Sequence, residues 1–203
     1  IRAVDPTTLV FYEPLLTFDF GAMTAHGDTG ARNAGFSFHN YCLPAGVGAG
    51  TLPASGDGCE AAEDLVFDNA DTHSENTDDA LLLTEYGATD DLETLERVTN
   101  LADEHMVGWQ EWHYCACGEP TSQVSPNVQA LVKDPAKPPR GDNLKRAKLR
   151  VLDRPYPQVV AGTPESYSFD RASALFALRY PTPPPGGRQP RRRLATEVYV
   201  PRI

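Results

Sequence analysis

Glu85 is the residue of this chain best placed to do chemistry, because it lies near the end of an otherwise apolar run, 80–86 (Ala-Leu-Leu-Leu-Thr-Glu-Tyr). The run is too short for a helix and predicts a strand buried on both faces, as in a parallel sheet. Gly87 breaks the strand, and Asp90 with Glu93 forms a capping box that predicts the start of a helix. A carboxylate is costly to bury, and at the C-terminal end of a barrel strand it usually serves catalysis. By itself, Glu85 is equally compatible with capping a loop or pairing with a basic residue.

The four cysteines, Cys42, Cys59, Cys115 and Cys117, are the second group that could do chemistry. Cys115 and Cys117 lie close to His113, but their spacing is not that of a zinc site and no second pair of ligands is evident. Cys42 and Cys59 border a Gly-rich loop that a bridge between them would close. We therefore predict disulfides, no metal and no cofactor. Disulfides persist in oxidising compartments, so we also expect a secreted, extracellular protein.

The charge of the chain is divided unevenly along its length. Residues 1–132 carry 3 Lys and Arg against 22 Asp and Glu, whereas residues 133–203 carry 15 against 6. This asymmetry indicates two modules and argues against nucleic acid as a partner of the first. A proline-rich segment, 126–141, has the composition of a linker, so we divide the chain into 1–125, 126–141 and 142–203.

The acidic module alternates predicted strands with predicted helices. The strands are 8–12, 35–41, 80–86 and 106–114, and amphipathic helices are predicted over 59–70 and 91–103. This alternation is typical of a parallel sheet, and four strands make about half of an eight-stranded barrel. We interpret the acidic segment 68–79 as a solvated connection.

The basic module contains short β-prone runs separated by Pro and Gly, which is typical of a small all-β sandwich. The runs are 148–152, 158–160, 166–169, 174–180 and 194–200. The predicted fold class is therefore α/β, the C-terminal half of a TIM (β/α)8 barrel followed by a small all-β sandwich domain.

Three motifs of the first module, in this order, resemble the second half of the endoglycosylceramidases of glycoside hydrolase family 5. They are Phe-Ser-Phe-His-Asn-Tyr-Cys at 36–42, Leu-Thr-Glu-Tyr-Gly-Ala-Thr at 83–89 and Gly-Trp-Gln-Glu-Trp at 108–112. The segments 156–164 and 168–169 resemble the start of that family's C-terminal β-sandwich. Nearly the whole chain is covered by the resemblance.

The resemblance implies a retaining β-glycosidase that hydrolyses the linkage between oligosaccharide and ceramide in glycosphingolipids. Glu85 matches the family's nucleophile, His39 and Tyr41 match its His-x-Tyr pair, and Trp112 is the best match to the tryptophan that floors the sugar site. Tyr41 can donate a hydrogen bond that holds the carboxylate, and His39 lies on the same face of its strand. Without the resemblance, we would interpret His39 as a core histidine whose ring nitrogens are hydrogen-bonded. Trp109 points to the opposite face of an ideal strand from Trp112, and either tryptophan is compatible with a core position.

The resemblance also implies an acid/base Glu in an Asn-Glu-Pro motif at the end of barrel strand 4. Glu13 and Glu119 precede prolines but lack the Asn. Only one predicted strand lies between that of Glu13 and that of Glu85, whereas a strand-4 residue needs two. We therefore expect a fragment that begins near strand 5, ends before the sandwich is complete and lacks the acid/base Glu. By itself it should be inactive and either poorly soluble or partly unfolded, because half a barrel exposes two strand edges and one open sheet face.

The expected partner is a glycosphingolipid or an oligosaccharide substrate. The basic second module could also contact an anionic membrane or micelle surface, although it could equally be a solvated domain. Two alternatives stay open: a family 5 endo-glucanase acting on polysaccharides, and a non-catalytic carbohydrate- or lipid-binding derivative of the fold.

Overall fold

The computed structural model of the chain describes residues 1–41, 59–117, 126–181 and 195–202. The described part of the first module contains four strands and two long helices. They are β1 Val10–Tyr12, β2 Ala34–Asn40, α1 Cys59–Thr77, β3 Ala80–Tyr86, α2 Leu92–Glu104 and β4 Gly108–Trp109, with a short 3-10 helix, Leu16–Phe20, between β1 and β2. The strands form one sheet in the order β1-β2-β3-β4, and all three strand pairs are parallel.

The core of this module lies between the sheet and the two helices. Aromatic residues of β2 fill its centre: the ring centroids of Phe38 and Phe67 of α1 are 5.4 Å apart, and Phe36 packs on His73 of the same helix at 4.1 Å. Leu83 joins the same cluster from β3. Parallel strands with helices packed on the sheet confirm the predicted fold class, an α/β barrel fragment.

Strand β3 has the predicted bounds, but it is not buried on both faces. Only Leu83 and Tyr86 of this strand are buried, and both side chains lie in the core that the helices cover. The prediction of burial on both faces was wrong because four strands form an open sheet, so the face opposite the helices is only partly covered within the described residues.

Both helices differ from their predicted bounds. Helix α2 begins one residue later than the predicted capping box places it, because Asp91 is its N-cap and accepts the backbone N–H of Glu93 at 3.1 Å. Helix α1 continues to Thr77, so most of the predicted solvated connection, 68–79, is helical. His73 within it is buried and lies 2.8 Å from the Tyr12 hydroxyl, because its imidazole packs as part of the core.

The second module begins with helical rather than extended structure. Helix α4, Arg146–Leu152, replaces the strand predicted over 148–152. Its buried face is formed by Lys148 and Val151, which are three residues apart and therefore neighbours on a helix. Before it lies the short helix α3, Pro126–Gln129. The remaining predicted strands are present as two antiparallel pairs: β5 Tyr156–Val159 with β8 Glu197–Tyr199, and β6 Ser166–Asp170 with β7 Leu175–Arg179. The division at 126–141 stays a prediction, although Gln129, Ala130 and Val132 within this segment are buried.

Two arginines of the second module dock on helix α2. Arg154 is buried, forms an ion pair with Asp103 and donates a hydrogen bond to Asn100 Oδ1 at 2.9 Å. Arg171 pairs with Glu96 at 2.9 Å, at a more exposed position. Both arginines of the second module therefore contact the same helix of the first. Within the described residues, no helix is long and apolar enough to cross a bilayer.

Candidate active site

The site lies at the C-terminal end of β2 and β3, where an irregularity in the sheet changes the direction of Glu85. Phe38 is paired with Leu83, but His39 is paired with Glu85, so Thr84 is left without a partner residue. Such a bulge inserts one extra residue into a strand and reverses the faces of those that follow. Strict alternation from Leu81 and Leu83, which pack in the core, would place Glu85 on the helix-covered face. The bulge instead places it on the open face.

Glu85 contacts both residues of the His-x-Tyr pair that the sequence assigned to the site. The Tyr41 hydroxyl donates a hydrogen bond to Glu85 Oε2 at 3.0 Å. Nδ1 of His39 lies 3.6 Å from the same oxygen, and the Glu85 side chain is 28% exposed. Burial, with the Glu85 carboxylate as the second cause, raises the pKa of Tyr41 well above its ordinary value. Tyr41 is therefore a permanent hydrogen-bond donor to Glu85, and it fixes one carboxylate oxygen while leaving the group accessible.

Two further carboxylates, which the sequence did not point to as site residues, surround His39. Glu13 Oε1 lies 3.0 Å from His39 Nε2, and Asp19 Oδ2 lies 3.7 Å from His39 Nδ1. In the sequence, Glu13 resembles the acid/base motif only by its following proline, and Asp19 belongs to no motif. The short helix that carries Asp19 has no periodic signal, so only the fold brings it close. The imidazole is thus the common neighbour of three carboxylates, and it is not simply a core histidine.

Asp19 differs from the other two carboxylates by its burial. It is 6% exposed, and burial raises its pKa to about 6, with the neighbouring Glu13 and Glu85 acting in the same direction and His39 opposing them. Asp19 is thus a buried neighbour of the site, and its charge acts on Tyr41 as well as on His39. Glu13 follows β1, and only β2 separates β1 from β3, as the sequence predicted. Glu119 lies outside the described residues.

Trp112 lies beside the end of β3, where backbone bonds hold it. Its N–H donates to the carbonyl of Tyr86 at 2.8 Å, and its own carbonyl accepts the N–H of Ala88 at 2.8 Å. The indole Nε1–H donates to Gln129 Oε1 at 2.8 Å, so one edge of the ring is fixed. Trp109, in contrast, packs against Tyr86 with ring centroids 5.5 Å apart and contributes to the core. The two tryptophans therefore have different surroundings.

The strand predicted over 106–114 is regular only at Gly108 and Trp109. Beyond them the chain stays alongside β3, and the N–H of Gln110 donates to the Leu83 carbonyl at 2.8 Å. Gly87, opposite Trp112, has a φ of +93°, and a Cβ at this position would lie 3.0 Å from Leu95. A glycine is therefore needed where β3 turns out of the sheet.

Three of the four cysteines lie in the described residues, and all three are disulfide-bonded. Cys115 and Cys117 are joined by a disulfide, in agreement with the preference for a disulfide over zinc. Cys59 is disulfide-bonded. Cys42 lies outside the described residues, and the bridge between the two stays a prediction. Among the described residues, no three His, Cys, Asp or Glu side chains are arranged to hold a metal ion.

Comparisons with known proteins agree with the motifs. Residues 154–203 match the Glycoside hydrolase family 5 C-terminal domain. Over 98% of its length, the chain is 29% identical to Endoglycoceramidase I of Rhodococcus hoagii (strain 103S), and it covers 36% of that protein. It is also similar to the structure described as endo-glycoceramidase II from Rhodococcus sp. in a ganglioside GM3 complex, with a TM-score of 0.54, 20% identity and coverage of 89% of this chain and 48% of the other.

These comparisons confirm the resemblance and the fold, although the chain spans only about a third of the curated relative and about half of the solved structure. The parallel sheet corresponds to a TIM-barrel fragment, and the matched domain follows it as the predicted sandwich. The chain is thus similar to the endoglycosylceramidases of glycoside hydrolase family 5.

Proposed function

We propose that these residues form part of a retaining β-glycosidase that hydrolyses the linkage between oligosaccharide and ceramide in glycosphingolipids, with Glu85 as its nucleophile. The observation that carries this proposal is the hydrogen bond of 3.0 Å from Tyr41 to Glu85 at the carboxyl end of a parallel strand. A nucleophilic carboxylate must be ionised, accessible and held in one rotamer. Glu85 has the exposure and the fixed oxygen that this role requires.

A retaining mechanism needs two carboxyl groups about 5–5.5 Å apart. Glu85 attacks the anomeric carbon and forms the glycosyl-enzyme, while a second carboxyl first protonates the leaving ceramide oxygen and then activates water. Asp19 is too buried for this second role, and Glu13 is engaged by His39. We propose that the acid/base is a Glu at the end of barrel strand 4, outside these 203 residues, so that residues 1–203 by themselves do not turn over substrate.

The remaining site residues would bind the sugar. Trp112 offers an apolar ring face for the glycan, and His39 offers a polar edge beside the nucleophile. The ceramide part of the substrate is suggested by the names of the similar proteins, one of which is described in complex with a ganglioside. Secretion, and contact of the basic second module with an anionic membrane or micelle surface, belong to the same proposal.

The test is hydrolysis by the intact protein, in which the barrel is complete, of labelled glycosphingolipids and soluble glucans. We expect release of intact oligosaccharide from the glycolipids, with retention at the anomeric carbon. Glu85→Gln should lower kcat on the order of 10⁴-fold with an unchanged melting temperature. Glu93→Gln, which removes an exposed carboxylate of helix α2, is the matched control and should leave kcat unchanged.

A mechanism-based fluoroglycoside should become attached to Glu85 and be found there by peptide mass spectrometry. Cleavage of the glucans alone would replace the proposal with the endo-glucanase alternative. Binding of glycolipid without turnover would point to the non-catalytic alternative.

A further inference from the structure

A buried ion pair joins the second module to the residue that precedes Trp112. Lys148 of helix α4 has a side chain that is 1% exposed, and it pairs with Glu111, whose side chain is 7% exposed. Lys148 Nζ also donates to the backbone carbonyl of Gln129. The ammonium group therefore connects the segment of Trp112 with the segment of Gln129.

Gln129 in turn contacts the indole of Trp112. Its side chain accepts the Nε1–H of Trp112 at 2.8 Å, and its carbonyl accepts the N–H of His113 at 3.3 Å. The carbonyl of His113 in turn accepts the N–H of Leu131 at 3.0 Å. Because Lys148 anchors the carbonyl of Gln129, it restricts the side chain that fixes the edge of the tryptophan ring.

Glu111 connects the same pair to the strand of the nucleophile. A Cβ built on Gly87, two residues after Glu85, would lie 3.3 Å from Glu111 Cγ. The charge of Glu111 also acts on Tyr41, the donor to Glu85. Glu111 therefore lies next to the turn that follows Glu85.

Stability gives no reason for a charged pair at this position. Burial raises the pKa of Glu111 and lowers that of Lys148, so desolvation opposes the charged form of both groups. Apolar residues of similar volume in place of a buried ion pair are often neutral or stabilising. What an apolar pair would lose is the hydrogen bond to Gln129.

We infer that Glu111 and Lys148 are positioning residues, by which the second module holds the ring of Trp112 in the sugar site. The inference rests on the proposed function for the role of Trp112. The sandwich module is then a structural part of the active site, because one of its buried side chains sets the geometry of a ring that belongs to the barrel.

The test uses the double variant Glu111→Leu/Lys148→Met in the intact protein labelled with 5-fluorotryptophan. The 19F signal of Trp112 is assigned by its absence in Trp112→Phe. We expect a melting temperature close to that of the wild type, a displaced Trp112 signal and a KM about tenfold higher, with kcat changed less, because a sugar platform acts on the bound ground state. Glu96→Gln, which breaks the more exposed ion pair of the same interface but keeps the bonds of Arg171 to α4, is the matched control and should leave the signal and KM unchanged.

A wild-type Trp112 signal and a wild-type KM in the double variant would overturn the inference. If this variant does not fold, Gln129→Met supplies the same readout, because it keeps Glu111 and Lys148 and removes the acceptor of the indole. An unchanged signal and KM there would also overturn the inference. If the wild-type protein has no glycosidase activity, the proposed function fails, but the 19F signal still tests whether Lys148 positions the ring.

Discussion

Replacing Asp19 with Asn should stabilise the protein at pH 7 but not at pH 4. The Asp19 carboxyl is nearly buried beside His39, and three effects act on its pKa. Burial is the largest of those that raise the pKa from 3.8 to about 6, Glu13 and Glu85 add to it, and His39 opposes them. The wild-type protein therefore has to ionise this group in an environment that disfavours the charge.

The sign follows from proton binding in the two states. Because the pKa of Asp19 is higher in the folded protein than in the unfolded chain, the folded state binds more protons between about pH 4 and pH 6. The stability that Asp19 contributes is complete below pH 3.8 and is lost as the pH rises through about 6. About two pKa units, at 1.36 kcal/mol each, correspond to about 3 kcal/mol. Asparagine never ionises, so the variant avoids this loss.

Urea unfolding of the wild type and of Asp19→Asn, at several values between pH 4 and pH 7, measures the effect. The difference in the free energy of unfolding should be near zero at pH 4 and should reach about 3 kcal/mol in favour of the variant at pH 7. Asp64→Asn, which alters an exposed carboxylate of α1, is the control and should show no such trend. A difference that does not change with pH, or that favours the wild type as the pH rises, would refute the assignment of Asp19 as a strained buried carboxyl.

Two further predictions concern the site and the interface between the modules. Tyr41→Phe removes the donor to Glu85 and should lower kcat/KM about 10- to 100-fold, since a hydrogen bond to a charged group contributes about 1.5–3 kcal/mol. A less than about twofold change in kcat/KM at an unchanged melting temperature would contradict the role of the hydroxyl. Asp103→Ala leaves the buried Arg154 without its counter-charge and should cost about 3–5 kcal/mol in urea unfolding. Glu96→Gln, at the exposed ion pair of the same interface, should cost less than about 1 kcal/mol, and equal costs for the two variants would show that burial does not decide the outcome.

The sequence was sufficient to predict the parallel sheet and the bounds of β3, and the family resemblance pointed to the contact of Glu85 with Tyr41. The apolar run and the glycine after it delimit β3 correctly, and Tyr41 follows the last residue of β2. These features are local, and a strand of period two expresses them directly. The helical α4 could also have been recognised, because Lys148 and Val151 share a helical face.

The sequence was not sufficient to predict the bulge or the acidic surroundings of His39. A bulge at Thr84 leaves no signature in the order of apolar residues, since it is defined by which residue of β2 faces which residue of β3. Asp19 comes close to His39 only because the short helix after β1 folds over the end of the neighbouring strand. Such contacts depend on the path of the chain between strands, which local propensity does not determine.

The bulge links the site to the module interface through two consecutive residues. It turns Glu85 to the open face of the sheet, and it therefore turns Tyr86 to the helix-covered face, where the ring is fully buried against Trp109. The charges of Asp103 and Arg154, which join the modules, act on the Tyr86 hydroxyl at that place. One register shift thus places Glu85 on one side of the sheet and Tyr86, near the Asp103–Arg154 pair that joins the modules, on the other. The register of β3 is therefore a second structural connection between Glu85 and the second module, in addition to the ion pair of Lys148 with Glu111.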